Sequence, residues 1–113
     1  MKSKIICFDL DGVICQTNGN DYKNSKPITK TIKIINKLYK NNKIIIFTAR
    51  YMGRSNNKKS LAKRLAKTIT TNQLKYWGVK YHKILFGKPS YDLIIDDKSI
   101  DFKKNWHKYF NKI

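Results

Sequence analysis

Residues 5–12 read Ile-Ile-Cys-Phe-Asp-Leu-Asp-Gly, an apolar run that ends in two aspartates and a glycine. Four apolar residues followed closely by a turn-forming glycine predict a buried β-strand and then a tight turn. Because every second residue of an extended chain points to the same side, Asp9 and Asp11 are expected to reach one reactant. The stretch therefore predicts a strand that carries two carboxylates to one edge of a sheet.

Three further apolar runs predict strands, at 44–47, 84–86 and 93–95. Each run is short and apolar throughout, which is typical of strands that are covered on both faces. Helical segments separate these runs along the chain. The alternation predicts the α/β class, as a three-layer Rossmann-like fold with a parallel sheet.

The spacing of apolar residues predicts the helices. Residues 28–41 place apolar side chains on one face and lysines on the other, the pattern of an amphipathic helix. Residues 61–69 predict a second helix. Residues 70–73, Thr-Thr-Asn-Gln, resemble a capping box that starts a separate short helix, which Gly78 stops. The remaining stretches predict a closing helix over 101–109 and loops over 16–27 and 51–59.

Length and composition indicate one globular domain that covers residues 1–113. The sequence has no run of about 18 apolar residues, which argues against a membrane span. The segment before Asp9 is too short for a secretion signal. Two cysteines, Cys7 and Cys15, are too few for a disulfide scaffold, so we expect a reduced, cytoplasmic setting.

The chain is strongly basic, with 25 lysines and arginines against seven acidic residues and a formal net charge of +18. Such an excess is compatible with nucleic acid as a partner. However, 22 of the 25 basic residues are lysines, whereas phosphate and base recognition favours the arginine fork. The lysines are also spread along the whole chain. A solvated basic surface is therefore the favoured interpretation, and nucleic-acid binding is the alternative.

The acidic residues are more informative. There is no glutamate, and four of the seven aspartates stand in two tight clusters, Asp9 with Asp11 and Asp96 with Asp97. Like charges placed side by side repel each other, and a divalent cation removes that repulsion. The clusters therefore predict a metal site.

Polar side chains follow all four predicted strands, at the edge where ligands bind in parallel sheets. Each has an ordinary structural explanation when taken singly: a solvated turn, a satisfied backbone group, a surface lysine or a helix N-cap. Their convergence on one edge favours a functional site. The residues are Asp9, Asp11, Thr48, Lys88, Asp96 and Asp97.

Four motifs, in this order, resemble those of the haloacid dehalogenase superfamily. They are Asp9-Leu10-Asp11-Gly12-Val13, Thr48 within Phe47-Thr48-Ala49-Arg50, Lys88 within Gly87-Lys88-Pro89, and Ile95-Asp96-Asp97-Lys98. The resemblance covers the chain from about Ile5 to Phe102. It is closest to the small members that lack a cap domain and are associated with capsular or surface polysaccharide synthesis.

The resemblance implies a Mg²⁺-dependent phosphatase. Asp9 is expected to attack phosphorus and form an aspartyl-phosphate, and Asp11 to act as the general acid and base. Thr48 and Lys88 are expected to bind the phosphoryl oxygens. The expected Mg²⁺ ligands are Asp9, Asp11 and Asp96, with Asp97 as a further ligand through water or as a residue that orients Lys88.

The loops are the expected places for substrate contact, since no cap domain fits the spacing of the motifs. Arg50, Tyr51 and Arg54 are the candidates on the second loop, and ordinary surface is the alternative for these three side chains. Ala49, which precedes them, is a further candidate for substrate binding. The expected substrate is a small phosphorylated sugar or polyol of surface-polysaccharide synthesis. Two alternatives stay open, a phosphatase of nucleic-acid ends or nucleotides and a binding module without turnover. An open site also leaves a homo-oligomer open, and no membrane partner is expected.

Overall fold

A computed structural model of the chain describes residues 3–53, 55–103 and 105–112. These residues contain five strands and two α-helices, together with 3₁₀ helices at Tyr22–Asn24 and Trp106–Lys112. In chain order they are β1 (Ile5–Asp9), β2 (Cys15–Gln16), β3 (Lys26–Pro27), α1 (Thr29–Leu38), β4 (Lys43–Thr48), α2 (Lys59–Tyr76) and β5 (Lys83–Phe86).

The three longer strands form one parallel sheet in the order β1-β4-β5. Asp9 lies opposite Phe47, and the next residue of β4, Thr48, lies opposite Phe86 of β5. The carboxyl ends of all three strands therefore meet at the same edge. The sequence predicted all three, since the apolar runs at 5–8, 44–47 and 84–86 match them to within one residue at each end.

Helix α1 packs its apolar face on the sheet, as the sequence predicted. Ile35 is fully buried, and Ile32 and Leu38 are nearly so. The helix ends at Leu38, earlier than predicted, because Asn42 caps it: the Asn42 side-chain amide donates to the Leu38 carbonyl at 2.9 Å. The Asn42 side-chain oxygen accepts from the Lys4 backbone N–H at 2.9 Å, which fixes the helix end to the start of β1.

Helix α2 is a single helix of 18 residues, so the prediction of a separate short helix over 70–77 is wrong. The threonines expected to cap that helix are used otherwise. Thr70 is fully buried and its hydroxyl accepts a hydrogen bond from Arg50. Thr71 donates its hydroxyl back to the Lys67 carbonyl at 2.8 Å, a bond that continuous helices accommodate.

The predicted loop over 16–27 is tied down at both ends. Strands β2 and β3 pair antiparallel, with Cys15 opposite Pro27. The Ile28 N–H donates to the Ile14 carbonyl at 2.8 Å and extends that pairing by one bond. Residues 17–25, between the two strands, therefore form a loop closed at its base, which we call the arch; it lies beside the carboxyl edge of the sheet.

Residues 93–95 do not form the fourth strand that their apolar run predicts. Leu93 and Ile95 are 88% and 101% exposed, and the parallel sheet has three strands within the part of the chain that the structure describes. Strand formation depends on burial against neighbouring strands more than on an apolar run, and this run is buried against none. Among the described strands of this sheet, β1 and β5 lie at the two edges.

The closing helix begins later than predicted and is a 3₁₀ helix, Trp106–Lys112. Tight backbone turns precede it, with the Lys103 N–H donating to the Asp101 carbonyl at 2.9 Å. Trp106 packs edge-on against Phe8 of β1, with ring centroids 6.1 Å apart. The terminal segment thereby covers one end of the core.

The core joins the helices to the sheet. Ile35 of α1 and Leu74 of α2 pack in one buried cluster with Ile44 and Ile46 of β4, and all four are fully buried. This arrangement is a Rossmann-like α/β fold, as predicted. Among the described residues, no helix combines the length and apolar character needed to cross a membrane.

Candidate active site

A cavity of about 580 Å³ opens at the carboxyl edge of the sheet. Asp9, Asp11 and Lys88, which lie at or just after the ends of β1 and β5, line the cavity. The turn that follows β4, residues 49–51, lines it as well. The structure therefore brings together three of the charged residues predicted to form the site. Parallel topology is the reason, because the residues that follow neighbouring strands emerge at one edge.

Asp9 and Lys88 form an ion pair in this cavity, with Nζ 3.3 Å from Oδ1. The Leu10 backbone N–H also donates to Asp9 Oδ1 at 2.9 Å. Burial raises the pKa of Asp9 above its usual range, and the opposing effect of Lys88 reduces this shift without cancelling it. The Asp9 side chain is still 37% exposed, so a reactant in the cavity can reach the carboxylate.

Lys88 is held by its neighbours on β4 and on the following loop. Its backbone N–H donates to the Thr48 carbonyl at 3.1 Å, and its amine lies 5.3 Å from the centre of the Tyr91 ring. Burial alone would lower the pKa of Lys88, but Tyr91 and Asp9 outweigh burial and raise it. The amine is therefore a stable cation beside the Asp9 carboxylate.

Asp11 lies in a turn that the backbone forms around the Leu10 carbonyl. That carbonyl accepts from the Ile14 and Cys15 N–H groups at 2.8 and 3.2 Å. Gly12 has φ of 92°, a conformation that a residue with a side chain rarely adopts, which explains a glycine at this position. The turn reverses the chain directly after the two aspartates and keeps both at the cavity.

The Asp11 carboxylate is paired with Arg50. Arg50 Nε lies 3.0 Å from Oδ2 and Nη2 lies 3.0 Å from Oδ1, a two-pronged contact. Thr17 adds a hydroxyl hydrogen bond to Oδ1 at 2.6 Å. The Asp11 side chain remains 27% exposed, so it borders the cavity while its orientation is fixed from behind.

Arg50 does not present its charge to the cavity as expected of a substrate contact. Its side chain is fully buried, because the guanidinium turns inward to Asp11. Ala49 and Arg50 still line the cavity. Arg54, the other arginine considered for substrate contact, lies outside the described residues.

Thr48 ends β4 but is 1% exposed, so its hydroxyl is not displayed on the cavity surface. That oxygen accepts the Arg50 backbone N–H at 3.1 Å. The predicted contact of Thr48 with a phosphoryl group stays a prediction. In this structure its hydroxyl shapes the turn that directs Arg50 inward.

Asp96 and Asp97, the other predicted metal ligands, are not brought to the cavity. Both are exposed, because residues 93–95 form no strand that would direct them to the carboxyl edge. Asp96 Oδ1 instead accepts the Lys98 N–H at 2.9 Å within its own turn. Among the described residues, no three acidic, histidine or cysteine side chains are grouped as ligands for a metal ion.

Tyr51, a predicted candidate for substrate contact, lies on the cavity wall together with two tyrosines that the sequence did not single out, Tyr22 and Tyr91. The Tyr22 and Tyr51 rings are in contact, with centroids 5.0 Å apart. Tyrosines in polar loops are the one signal that the sequence carries for such a wall. The pairing across loops comes from tertiary contacts that a single sequence does not display.

Neither the family models nor the curated proteins include a match to this chain. Among solved structures, the chain is similar to the crystal structure of an MCSG target from Vibrio cholerae. The two are 28% identical with a TM-score of 0.80, over 96% of this chain and 98% of the other. The similarity supports the α/β fold described above.

Proposed function

We propose that the chain is a phosphatase that hydrolyses a phosphate monoester through a covalent intermediate on Asp9. The observation that supports this most directly is the Asp9–Lys88 pair, 3.3 Å apart on a cavity at the carboxyl edge of a parallel sheet. A partly exposed carboxylate with a cation beside it has the two groups that phosphoryl transfer needs. One group attacks and the other neutralises developing charge.

In the first step, an Asp9 oxygen attacks phosphorus and the bond from phosphorus to the ester oxygen breaks. Lys88 neutralises charge on the phosphoryl oxygens as they pass through the transition state. The departing oxygen takes a proton from Asp11 and leaves as an alcohol. This step requires Asp11 to enter in its protonated form, in which one oxygen carries the proton and the other accepts from Arg50. Asp11 borders the same cavity, so the proton is transferred within it.

In the second step, water attacks the phosphorus of the aspartyl-phosphate. Asp11, now a carboxylate, accepts a proton from that water, and the acyl-phosphate bond breaks to release inorganic phosphate. Asp9 returns as a carboxylate. The net reaction consumes one water and gives one alcohol and one phosphate.

Mg²⁺ is part of the proposal. The ion is commonly bound through one or two carboxylates together with substrate phosphate and water. Asp9 fits this pattern because its side chain is partly exposed on the cavity. When bound, the ion would offset repulsion between the carboxylate and the phosphoryl group.

The proposed substrate is a small phosphorylated sugar or polyol. The resemblance to phosphatases of surface-polysaccharide synthesis suggests it, and a cavity of about 580 Å³ is large enough for such a molecule. The net charge of +18 favours a second candidate, a phosphatase that acts on nucleic-acid ends or nucleotides.

The test is phosphate release from a panel of sugar phosphates, polyol phosphates, nucleotides and a 3′-phosphorylated oligonucleotide, each with Mg²⁺ and with EDTA. We expect release that EDTA abolishes and that Asp9→Asn eliminates. An acid-quenched reaction should yield a phosphorylated peptide that contains Asp9. Asp101→Asn is the matched control, because Asp101 is an exposed aspartate outside the cavity.

The substrate preference separates the two candidates. Faster release from the oligonucleotide, with a steep loss as salt is added, would replace the metabolite by nucleic acid. Full activity in Asp9→Asn would exclude the covalent mechanism. A wild-type protein that releases phosphate from no member of the panel would contradict the proposed function.

A further inference from the structure

Arg50 has the most extensive set of polar contacts around the cavity. All five of its N–H groups can be matched to oxygen acceptors at 2.6 to 3.2 Å. Those acceptors are Asp11 Oδ1 and Oδ2, Ser25 Oγ, Thr70 Oγ1 and Gln73 Oε1. The side chain is also fully buried. Arg50 therefore has no donor left for a substrate.

A buried guanidinium is costly unless its charge is paired and its donors are matched. The acceptors of Arg50 come from three separate parts of the fold: the turn after β1, the arch between β2 and β3, and helix α2. This set of acceptors does more than pair the charge of Arg50. It fixes three elements at distances that the guanidinium fork sets.

The same network reaches the cavity wall. Gln73, which accepts from Arg50, donates its amide to the Tyr22 carbonyl at 2.6 Å. The Arg50 guanidinium also lies 4.9 Å from the centre of the Tyr22 ring. On the other side of the network, Thr17 lies between Ser25 and Asp11, with oxygen distances of 2.6 Å to each. Asp11 and the wall are therefore held by one cluster.

We propose that Arg50 is a positioning residue, which holds the Asp11 carboxylate and the Tyr22 wall in the arrangement that catalysis uses. The proposal rests on the proposed function, because it takes Asp11 as the proton-transfer group. Arg50 acts through Asp11 and contacts neither the phosphoryl group nor the leaving group.

The proposal separates catalytic turnover from phosphate binding. Asp9 and Lys88 form the phosphoryl-binding part of the cavity, and neither is hydrogen-bonded to Arg50 in the described contacts. Loss of Arg50 should therefore lower kcat while leaving the inhibition constant of inorganic phosphate nearly unchanged. General acid–base catalysis contributes about 10²–10⁴-fold, so a misplaced Asp11 should cost about 10²-fold in kcat.

The experiment compares Arg50→Met, Arg50→Lys, Asp11→Asn and the double variant Asp11→Asn with Arg50→Met. Arg64→Met is the matched control, since Arg64 is an exposed arginine on α2. In the Asp11→Asn background, Arg50→Met should change kcat by less than about threefold, because residues that act as a unit are not additive. Arg50→Lys should recover part of the activity, since an ammonium can pair with Asp11 but cannot reach all five acceptors.

Two outcomes would overturn the proposal while the phosphatase itself stands. One is an Arg50→Met variant with wild-type kcat next to an inactive Asp11→Asn. The other is a double variant slower than Asp11→Asn by the full factor of Arg50→Met, which would mean that Arg50 acts independently of Asp11. If Arg50→Met does not fold, as judged by its thermal unfolding transition, Arg50→Lys alone and in the Asp11→Asn background carries the same comparison.

A second measurement does not depend on activity. Hydrogen–deuterium exchange of the peptide that spans 16–27 should be faster in Arg50→Met and in Arg50→Lys than in Arg64→Met, because the link from Ser25 through Arg50 to α2 is weakened or lost while the Gln73–Tyr22 hydrogen bond remains. Equal exchange in all three would overturn the positioning role. If the wild type has no phosphatase activity and the arch still loosens, the proposed function fails and the structural link through Arg50 remains.

Discussion

Replacing Lys88 by methionine is the sharpest test of the charge arrangement at the cavity. Methionine keeps most of the length of the side chain and removes its charge. The lost amine lies 3.3 Å from Asp9 Oδ1, and the Lys88 side chain is 14% exposed. Removing a single donor from a transition-state site costs about 10²–10³ in kcat. Because Asp9 is 37% exposed and water screens the pair, we expect the lower end, about 10²-fold.

The pH dependence gives an independent readout. Lys88 lowers the pKa of Asp9, in opposition to burial, which raises it. Without Lys88 the pKa of Asp9 rises further, so the reactive carboxylate form is lost at a higher pH. The acidic limb of kcat/KM should therefore move to higher pH in Lys88→Met.

The assay is kcat/KM across a pH series for wild type, Lys88→Met and Lys37→Met, the last being an exposed lysine in the final turn of α1. Lys37→Met should match the wild type at every pH. A Lys88→Met variant with kcat/KM within about threefold of wild type, and with an unmoved acidic limb, would refute the assignment of Lys88 to the phosphoryl group.

Three further predictions concern stability and thiol reactivity. Burial raises the pKa of Asp9 in the fold, so ionisation of Asp9 lowers the stability of the protein as pH rises through that pKa. Asp9→Asn should therefore melt at a higher temperature than wild type at pH 7. A melting temperature equal to or below that of wild type would contradict this. Gly87 has φ of 92°, and an added Cβ would overlap Lys59 Cγ. Gly87→Ala should therefore lower the free energy of unfolding in urea by about 1–2 kcal/mol. Lys59→Ala should relieve part of that loss, and full additivity of the two changes would contradict the overlap. Burial raises the pKa of both thiols, that of Cys15 to about 11, and Cys7 is the exposed one of the two. Mass mapping after mild alkylation should therefore find more label on Cys7, and equal labelling of Cys15 would contradict its burial.

The strands and the first helix could be predicted because local pattern decides them. The apolar runs that form β1, β4 and β5 are flanked by turns, and each pairs with a neighbouring strand. Residues 93–95 have the same pattern but pair with none of the described strands. An apolar run gives the possibility of a strand, whereas the partner that makes it one is a tertiary fact.

The site followed the same division. Asp9, Asp11 and Lys88 could be placed together from topology alone, since parallel strands end at one edge. The pairing of Asp11 with Arg50 could not be predicted, because the two residues lie 39 positions apart. The loop position of Arg50 suggested a substrate contact instead. The threonines of α2 were misread for the same reason: Thr70 was expected to start a helix, and its hydroxyl instead serves Arg50.

The pairing of Asp11 with Arg50 and of Asp9 with Lys88 has a consequence for how an anion reaches the cavity. Two carboxylates and two cations lie there, so their formal charges cancel in a chain whose total is +18. Long-range attraction of a phosphorylated molecule must then come from the lysines on the outer faces of the helices. Added salt screens that attraction and slows capture, whereas the paired charges beneath are too close together to be screened in the same way.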